Sequence, residues 1–210
     1  MPPLEAFGLP TTVLEAERTT AYSFHYEGDQ RVMWQEAVGD PWTPEGALAA
    51  AGDADWVYVG ALTRSDFPPE TLGALASGGR RLLVDAHGVV RTPALGRLVT
   101  DGEAGTMLDA VTVLKLNDEE ADTLAGGHEP QEMRTLGVPE VLLTLGSRGS
   151  VVVTSGLVER IPATPVDGPV DPTGAGDTFS AAYLDARSRG ATPAEAGHAA
   201  SRFVAKLLAA

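Results

Sequence analysis

The segment with the clearest chemistry is residues 171–179, which read DPTGAGDTF. Small residues at Gly174, Ala175 and Gly176 let backbone N–H groups approach an anion closely, and a helix predicted to start here adds the positive end of its dipole. A carboxylate at Asp177 would repel phosphate, so it is better explained as a base that takes a proton from an attacking hydroxyl. The segment predicts phosphoryl transfer to a hydroxyl group.

The same segment has a purely structural explanation. In that alternative it is a glycine-rich turn, and Asp177 only stabilises the N-terminus of the following helix. The local pattern alone does not decide between the two explanations. It matches neither GxxxxGK[ST] nor GxGxxG, because Phe179 stands where the second pattern has its last glycine. The classical P-loop and Rossmann interpretations therefore lose support.

The elements that must position this segment alternate between short apolar strands and helices. Strands are predicted at residues 56–59, 81–85, 111–115 and 141–145. Such interleaving is typical of an α/β core in which helices cover both faces of a parallel sheet. Asp85, Asn117 and Thr144 each lie at or just after a predicted strand end, so we expect them to converge on one crevice.

Hairpins and helices account for most of the remaining chain. Two hairpins are predicted, from residues 19–25 with 30–34 and from residues 150–154 with 159–161. A helix is predicted at residues 175–188, and a last helix runs to Leu208 with Thr192 as its cap and Pro193 in its first position. We therefore expect one main domain.

Bulk composition excludes several functional classes. Twenty-nine acidic and fifteen basic residues give a net charge of −14, which opposes binding to nucleic acid or to an anionic membrane surface. Cysteine is absent, so disulfides, thiolate nucleophiles and cysteine zinc sites are excluded. The chain shows no signal peptide or bilayer-spanning apolar run. These features predict a soluble cytoplasmic protein.

Three segments together resemble one known family. DPTGAGDTF closely resembles the C-terminal signature of the ribokinase-like (PfkB) carbohydrate kinases, and KLNDEEADTL at 115–124 and TLGSRGS at 144–150 match in that family's order and approximate spacing. The resemblance implies an α/β fold, namely a three-layer α/β/α sandwich with a mostly parallel sheet and a small β lid. It also implies ATP as phosphate donor, Mg²⁺ as cofactor and K⁺ as a further candidate.

The resemblance assigns the phosphate end of the site. It implies that Asp177 is the catalytic base and that the backbone at Gly174, Ala175 and Gly176, with the N–H of Asp177, forms the anion hole. Asn117 and Glu120 match an NxxE element associated with Mg²⁺, often through water. Without the resemblance a local role is favoured, in which Asn117 caps a helix and Glu120 completes the capping pair, and both roles can coexist.

The nucleotide and a monovalent cation are assigned in the same way. Thr144, Gly146 and Gly149 resemble the strip beside the ribose and phosphates, and Ser201 aligns roughly with a frequent asparagine on the helix that passes the adenine. Asp171 falls where many members hold a monovalent cation. It can equally brace the loop through hydrogen bonds to backbone N–H groups.

The ends of the chain depart from the family pattern. Residues 1–10 do not resemble the glycine-rich sugar-binding motifs at the family's N-terminus, and the following section resembles the strands that cover the sugar and often form a dimer interface. We therefore expect residues 1–43 to be a partial β lid and connection, and residues 44–210 to be the nucleotide-binding and catalytic core. The ending also stops before the family's usual glycine-containing tail.

These observations lead to one main hypothesis and two alternatives. The main one is an ATP-dependent kinase acting on a hydroxyl of a sugar or sugar-like small molecule, with a homodimer through the β lid as a candidate assembly. The first alternative is a truncated relative that binds nucleotide without turnover. The second is a nucleoside or vitamin kinase of the same fold, since the matched motifs report the donor more than the acceptor.

Overall fold

A six-stranded sheet forms the centre of the structure, a computed structural model that describes residues 11–28, 30–166, 168 and 170–209. Its strands are β3 (Trp56–Val59), β4 (Arg81–Asp85), β6 (Val113–Asn117), β7 (Glu140–Thr144), β8 (Ser150–Thr154) and β9 (Val158–Ile161). They lie side by side in that order. The first four are parallel, and β8 and β9 continue the sheet as an antiparallel hairpin. The predicted mostly parallel sheet is confirmed.

Helices cover both faces of this sheet. They are α1 (Pro44–Ala51), α2 (Pro69–Ala76), α3 (His87–Val90), α4 (Asp118–Ala125), α5 (Pro130–Thr135), α6 (Ala175–Ser188) and α7 (Pro193–Leu208). Residues of α1 to α5 pack into one apolar core, and residues of α6 and α7 pack into a second. The central strands are apolar on both faces because each face is buried under helices. The result is the expected three-layer α/β/α sandwich.

A small second sheet lies beside the sandwich. It consists of β1 (Ala21–Glu27), β2 (Gln30–Ala37) and β5 (Gly96–Arg97), all antiparallel. β5 belongs to the part of the chain expected to form the core, so this sheet draws on both sides of the predicted boundary. The Tyr22 hydroxyl donates to the Leu62 carbonyl at 2.9 Å, which ties β1 to the loop after β3.

The C-terminal part of the long helix α6 is attached to the sheet by hydrogen bonds. Arg187 donates from Nε and from a terminal nitrogen to the two carboxylate oxygens of Glu140, at 3.2 and 3.1 Å. The Tyr183 hydroxyl donates to the same carboxylate at 2.5 Å. Glu140 begins β7 and is buried, so this contact joins the helix to the N-terminal edge of a central strand.

The structure differs from the predicted boundaries in one informative place. Residues 111–115 were expected to form a strand, but β6 begins at Val113 and continues to Asn117. The shift arises because residues 107–110 form a short 3₁₀ turn, which the Val111 N–H closes by donating to the Leu108 carbonyl at 3.0 Å. Among the described residues, no helix is both long and apolar enough to cross a bilayer.

A glycine in α3 provides a test of the packing between this helix and the loop after β3. A Cβ at Gly88 would lie 2.3 Å from the Cβ of buried Ala61, so Gly88→Ala is expected to lower the free energy of unfolding by about 1–3 kcal/mol. Urea denaturation measures this change. The matched control is Gly73→Ala in α2, where no atom lies within 4 Å of the added Cβ. The control is expected to gain up to about 1 kcal/mol from helix propensity, and equal stability of both variants would contradict the packing.

Candidate active site

The first turn of α6 brings several backbone N–H donors close together. Gly174 caps the helix at φ 78°, a left-handed conformation that favours glycine. The Ala175 N–H donates to the Pro172 carbonyl at 3.0 Å and is therefore already engaged. Among the described residues, no acceptor is paired with the N–H groups of Gly176 and Asp177. Two donors at the positive end of a 14-residue helix thus remain for an anion.

Asp177 lies in this turn. Its carboxylate is exposed, and one of its two oxygens accepts a hydrogen bond. The Tyr58 hydroxyl, which comes from β3, donates to Asp177 Oδ1 at 3.0 Å. Burial raises the pKa of Tyr58 strongly, and the negative charges of Asp85 and Asp177 raise it further. Tyr58 therefore stays protonated and donates the hydrogen bond. The second carboxylate oxygen, Oδ2, has no partner among the described residues.

A buried lysine lies beneath the same turn. Lys115 Nζ would be 3.2 Å from a Cβ placed on Gly176, so the absence of a side chain at Gly176 keeps the ammonium close to the helix N-terminus. The side chain of Lys115 is only 4% exposed, and its Nζ pairs with Asp85 Oδ2 at 3.0 Å. A positive charge therefore lies next to the two free N–H groups, where an anion would bind.

Strand register explains why these side chains meet. Asp85 in β4 and Lys115 in β6 are direct partners across adjacent parallel strands. Side chains two residues apart in a strand point to the same face, so Asp85 shares its face with Leu83, and Lys115 with Val113. Leu83 and Val113 belong to the core under α6 and α7. Asp85 and Lys115 consequently face α6.

His87 connects this ion pair to the start of α4. Its Nδ1 lies 3.2 Å from Asp85 Oδ1, and its Nε2 lies 3.0 Å from Glu120 Oε1. Burial alone would raise the pKa of Glu120, but the hydrogen bond and charge of His87, with the charge of Lys115, hold that pKa below its usual value. Asp85, Lys115, His87 and Glu120 thus form one connected row, in which His87 is partly exposed and the other three side chains are buried.

Asp85, His87 and Glu120 also offer ligand atoms within 4.8 Å of one another. Lys115 already supplies a positive charge to Asp85, and the two ring nitrogens of His87 face different carboxylates. A transition-metal centre would have to displace these contacts. We interpret the cluster as a polar network built on the ion pair of Lys115 with Asp85.

The predicted Asn117–Glu120 element forms a capping box. Asn117 Oδ1 accepts from the Glu120 N–H, and Glu120 Oε2 accepts from the Asn117 N–H, both at 2.8 Å. The local role is therefore present. A carboxylate can accept up to about four hydrogen bonds, so Glu120 still has capacity for a water held by Mg²⁺. The residues fit a water-mediated magnesium site, which stays a prediction.

The predicted nucleotide strip follows β7. Thr144 is the register partner of Asn117, and its hydroxyl donates to the Leu116 carbonyl at 3.0 Å. Gly146 and Gly149 have φ values of 58° and 93° in the turn between β7 and β8. A Cβ at Gly149 would lie 2.1 Å from the Ile161 carbonyl oxygen, so this glycine is required by packing whatever it binds.

Ser201 and Asp171 both make local hydrogen bonds. The Ser201 hydroxyl, on α7, donates to the Pro162 carbonyl at 3.2 Å. Asp171 Oδ1 accepts from the Thr173 N–H at 2.9 Å. Hydrogen bonds from the Thr173 side chain and N–H lower the pKa of Asp171. The loop-bracing role of Asp171 is therefore observed, while its role toward a monovalent cation stays a prediction.

Sequence reasoning missed Tyr58 and Lys115. A lysine inside the apolar run VTVLKLN was the available signal, because a buried charge needs a partner and commonly marks a site. Tyr58 gave no comparable signal, since a tyrosine in the strand WVYV is ordinary. As predicted, Asp85, Asn117 and Thr144 lie at strand ends, and the three strands that they end are neighbours in the sheet. Their convergence on one crevice stays a prediction.

Comparison with known proteins identifies the family. The family model described as pfkB family carbohydrate kinase matches residues 6–208. The chain belongs to this family. The family resemblance inferred from three sequence segments is confirmed.

Two ribokinases are among the similar sequences. Ribokinase of Bacillus subtilis (strain 168) is 29% identical over 193 residues, which cover 89% of this pfkB chain and 62% of the relative. Ribokinase of Arabidopsis thaliana is 36% identical over 97 residues, or 40% of this chain and 25% of the relative. The chain thus spans less than two thirds of the length of either relative.

Solved structures confirm the ribokinase-like fold. A pyrophosphate-dependent kinase of the ribokinase family, complexed with a pyrophosphate analogue and myo-inositol, has a TM-score of 0.83 at 24% identity, covering 98% of this chain and 74% of the other. Arabidopsis thaliana ribokinase with ribose and ATP has a TM-score of 0.70 at 22% identity, covering 90% and 63%. Adenosine kinase from Sinorhizobium meliloti has a TM-score of 0.60 at 19% identity, covering 80% and 53%.

Proposed function

We propose that this pfkB chain transfers a phosphoryl group from ATP to a hydroxyl of a sugar or sugar-like small molecule. The observation that carries the proposal is the first turn of α6. There, two free N–H groups and the exposed carboxylate of Asp177 lie together above the ammonium of Lys115. A base next to an anion site is the arrangement that phosphoryl transfer to a hydroxyl requires.

The geometry suggests a division of labour among these groups. Asp177 takes the proton of the acceptor hydroxyl. The hydroxyl oxygen forms a bond to phosphorus while the bond from phosphorus to the leaving oxygen of ADP breaks. The N–H groups of Gly176 and Asp177, with Lys115, stabilise the charge on the transferred group. Mg²⁺, held near Asn117 and Glu120 through water, would neutralise charge on the donor phosphates.

Similar proteins support a small hydroxylated acceptor. The solved structures named above are a kinase complexed with myo-inositol, a ribokinase complexed with ribose and ATP, and an adenosine kinase. Myo-inositol, ribose and adenosine all carry hydroxyl groups on a ring. The exposed Phe24 and Tyr26 in β1 belong to the small sheet predicted to cover the acceptor. We propose a sugar or cyclic polyol as the acceptor class, with a nucleoside as the second candidate.

Pyrophosphate is a second candidate donor. Three solved structures of pyrophosphate-dependent kinases in the ribokinase family have TM-scores of 0.80 to 0.83, above the 0.70 of the ribokinase with ATP. The chemistry of Asp177 and of the anion site would be the same, because both donors present a terminal phosphoryl group. Only the leaving group changes, from ADP to inorganic phosphate.

A donor and acceptor matrix tests the proposal. We expect Mg²⁺ with ATP to give acceptor-dependent ADP and a phosphorylated product with at least one of ribose, myo-inositol and adenosine, followed by ³¹P NMR and mass spectrometry. Chelation of Mg²⁺ should abolish the product. If phosphorylated product forms with pyrophosphate and not with ATP, pyrophosphate is the donor. Calorimetric binding of Mg-ATP without product from any acceptor in a broad panel of sugars and nucleosides would favour the non-catalytic alternative.

A further inference from the structure

The hydrogen bond between Tyr58 and Asp177 joins residues that are 119 positions apart in the sequence. Tyr58 lies in β3, while Asp177 lies in the first turn of α6. We propose that Tyr58 is the positioning residue for Asp177. It fixes Oδ1, so that Oδ2 is the oxygen that receives the proton of the acceptor hydroxyl. This inference rests on the proposed kinase function.

The surroundings of Tyr58 suit such a role. Its ring lies against Gly60, where an added Cβ would be 3.5 Å from two ring carbons and 3.6 Å from the hydroxyl oxygen. The strand that carries it pairs in parallel with β4 along its whole length, from Trp56 to Val59. Its backbone is therefore held by the sheet, and its ring packs against the apolar core under α6 and α7. By contrast, the Asp177 side chain is exposed and has no other hydrogen-bond partner among the described residues.

Electrostatics keeps the direction of this hydrogen bond constant. The carboxylates that face the Tyr58 hydroxyl are Asp85 from β4 and Asp177 from α6, with Lys115 from β6 paired to the first of them. Negative charge on two sides disfavours a phenolate. Tyr58 consequently donates to Asp177 across the range in which a carboxylate base works, and it does not compete as a base itself.

A positioning role predicts more than a structural hydrogen bond does. Without the Tyr58 hydroxyl, the carboxylate can rotate about χ2 and share either oxygen with solvent, so the fraction of productive alignments falls. The donor phosphates do not depend on that alignment. Removal of the hydroxyl should therefore lower kcat and leave the KM for the donor unchanged.

The experiment compares Tyr58→Phe with a matched control, Tyr183→Phe. Both substitutions remove one hydroxyl that donates to a carboxylate, but Tyr183 donates to Glu140 near the opposite end of α6. With ATP and the best acceptor, we expect Tyr58→Phe to lower kcat about 10- to 100-fold with donor KM within twofold of wild type. Tyr183→Phe should lower the melting temperature and leave kcat unchanged.

A double variant separates positioning from general damage. If Tyr58 acts through Asp177, adding Tyr58→Phe to Asp177→Asn should lower the residual rate no further. An unchanged kcat in Tyr58→Phe, or equal losses of kcat in both tyrosine variants, would overturn the inference while leaving the kinase function standing. If the wild-type chain transfers phosphate to no acceptor from either donor, the proposed function fails and the inference fails with it.

Discussion

Asp177→Asn is expected to lower kcat by about two to four orders of magnitude, which is the usual contribution of a general base. Asparagine keeps the size of the side chain and its hydrogen bond from Tyr58, but it cannot accept the proton of the acceptor hydroxyl. The free N–H groups of Gly176 and of residue 177 remain, so donor binding should persist. Initial rates of ADP release and calorimetric titration with Mg-ATP measure the two effects separately.

The matched control for this variant is Asp185→Asn on the same helix. Asp185 is exposed and pairs with Arg189 one turn later, far along α6 from the first turn. It should keep wild-type kcat, because an exposed pair of this kind contributes only about 0–1 kcal/mol to stability. A wild-type rate in Asp177→Asn would remove Asp177 from the role of base.

Lys115→Met is expected to lower kcat/KM for the donor by about 10²- to 10³-fold, as loss of a charge-stabilising donor does in other active sites. Methionine has an unbranched side chain of similar length, so it fills the space under Gly176 without the charge. Steady-state rates at varied donor concentration measure the change. Direct titration with Mg-ATP separates the part of this loss that comes from weaker donor binding from the part that comes from weaker transition-state stabilisation.

Substitutions of Asp85, the ion-pair partner of Lys115, distinguish a role of Lys115 in phosphate binding from a purely structural role. Lys115→Met alone leaves Asp85 charged and only 1% exposed, at a cost of about 3–5 kcal/mol in stability. The double variant Asp85→Asn with Lys115→Met removes both charges and should recover most of that stability. Asp85→Asn alone keeps the ammonium and should keep far more activity than either variant without the lysine. Wild-type kcat/KM in the double variant would contradict a role for Lys115 at the phosphate.

The sandwich was predictable because its local signals agree with its tertiary structure. The apolar strands at Trp56–Val59 and Arg81–Asp85 and the helix Ala175–Ser188 were predicted with the bounds that the structure has. Each is a short apolar run or a glycine-led helix next to clear turn residues. Strand β6 was misplaced by two residues, because Val111 looks like strand but closes a 3₁₀ turn.

The site was predictable only where its chemistry is contiguous in the sequence. The segment around Asp177 carries its own glycines and its own helix, so its residues could be assigned together. The contacts of Tyr58 and Lys115 depend on which face of the sheet α6 covers and on which strands lie beneath its first turn. Side-chain alternation gives two faces but does not say which one meets α6. Which face meets α6 depends on how the chain connects elements that are far apart in the sequence.

The anchoring of α6 has a mechanical consequence. A helix of 14 residues spans about 21 Å. At one end Tyr58 holds its first turn to β3, and at the other the pair of Arg187 with Glu140 holds it to β7. Translation or rotation of this helix would break a contact with a buried carboxylate, so its N-terminal donors have a fixed position relative to the sheet. We therefore expect that any closure around bound substrates comes from other parts of the chain, such as the small sheet of β1, β2 and β5.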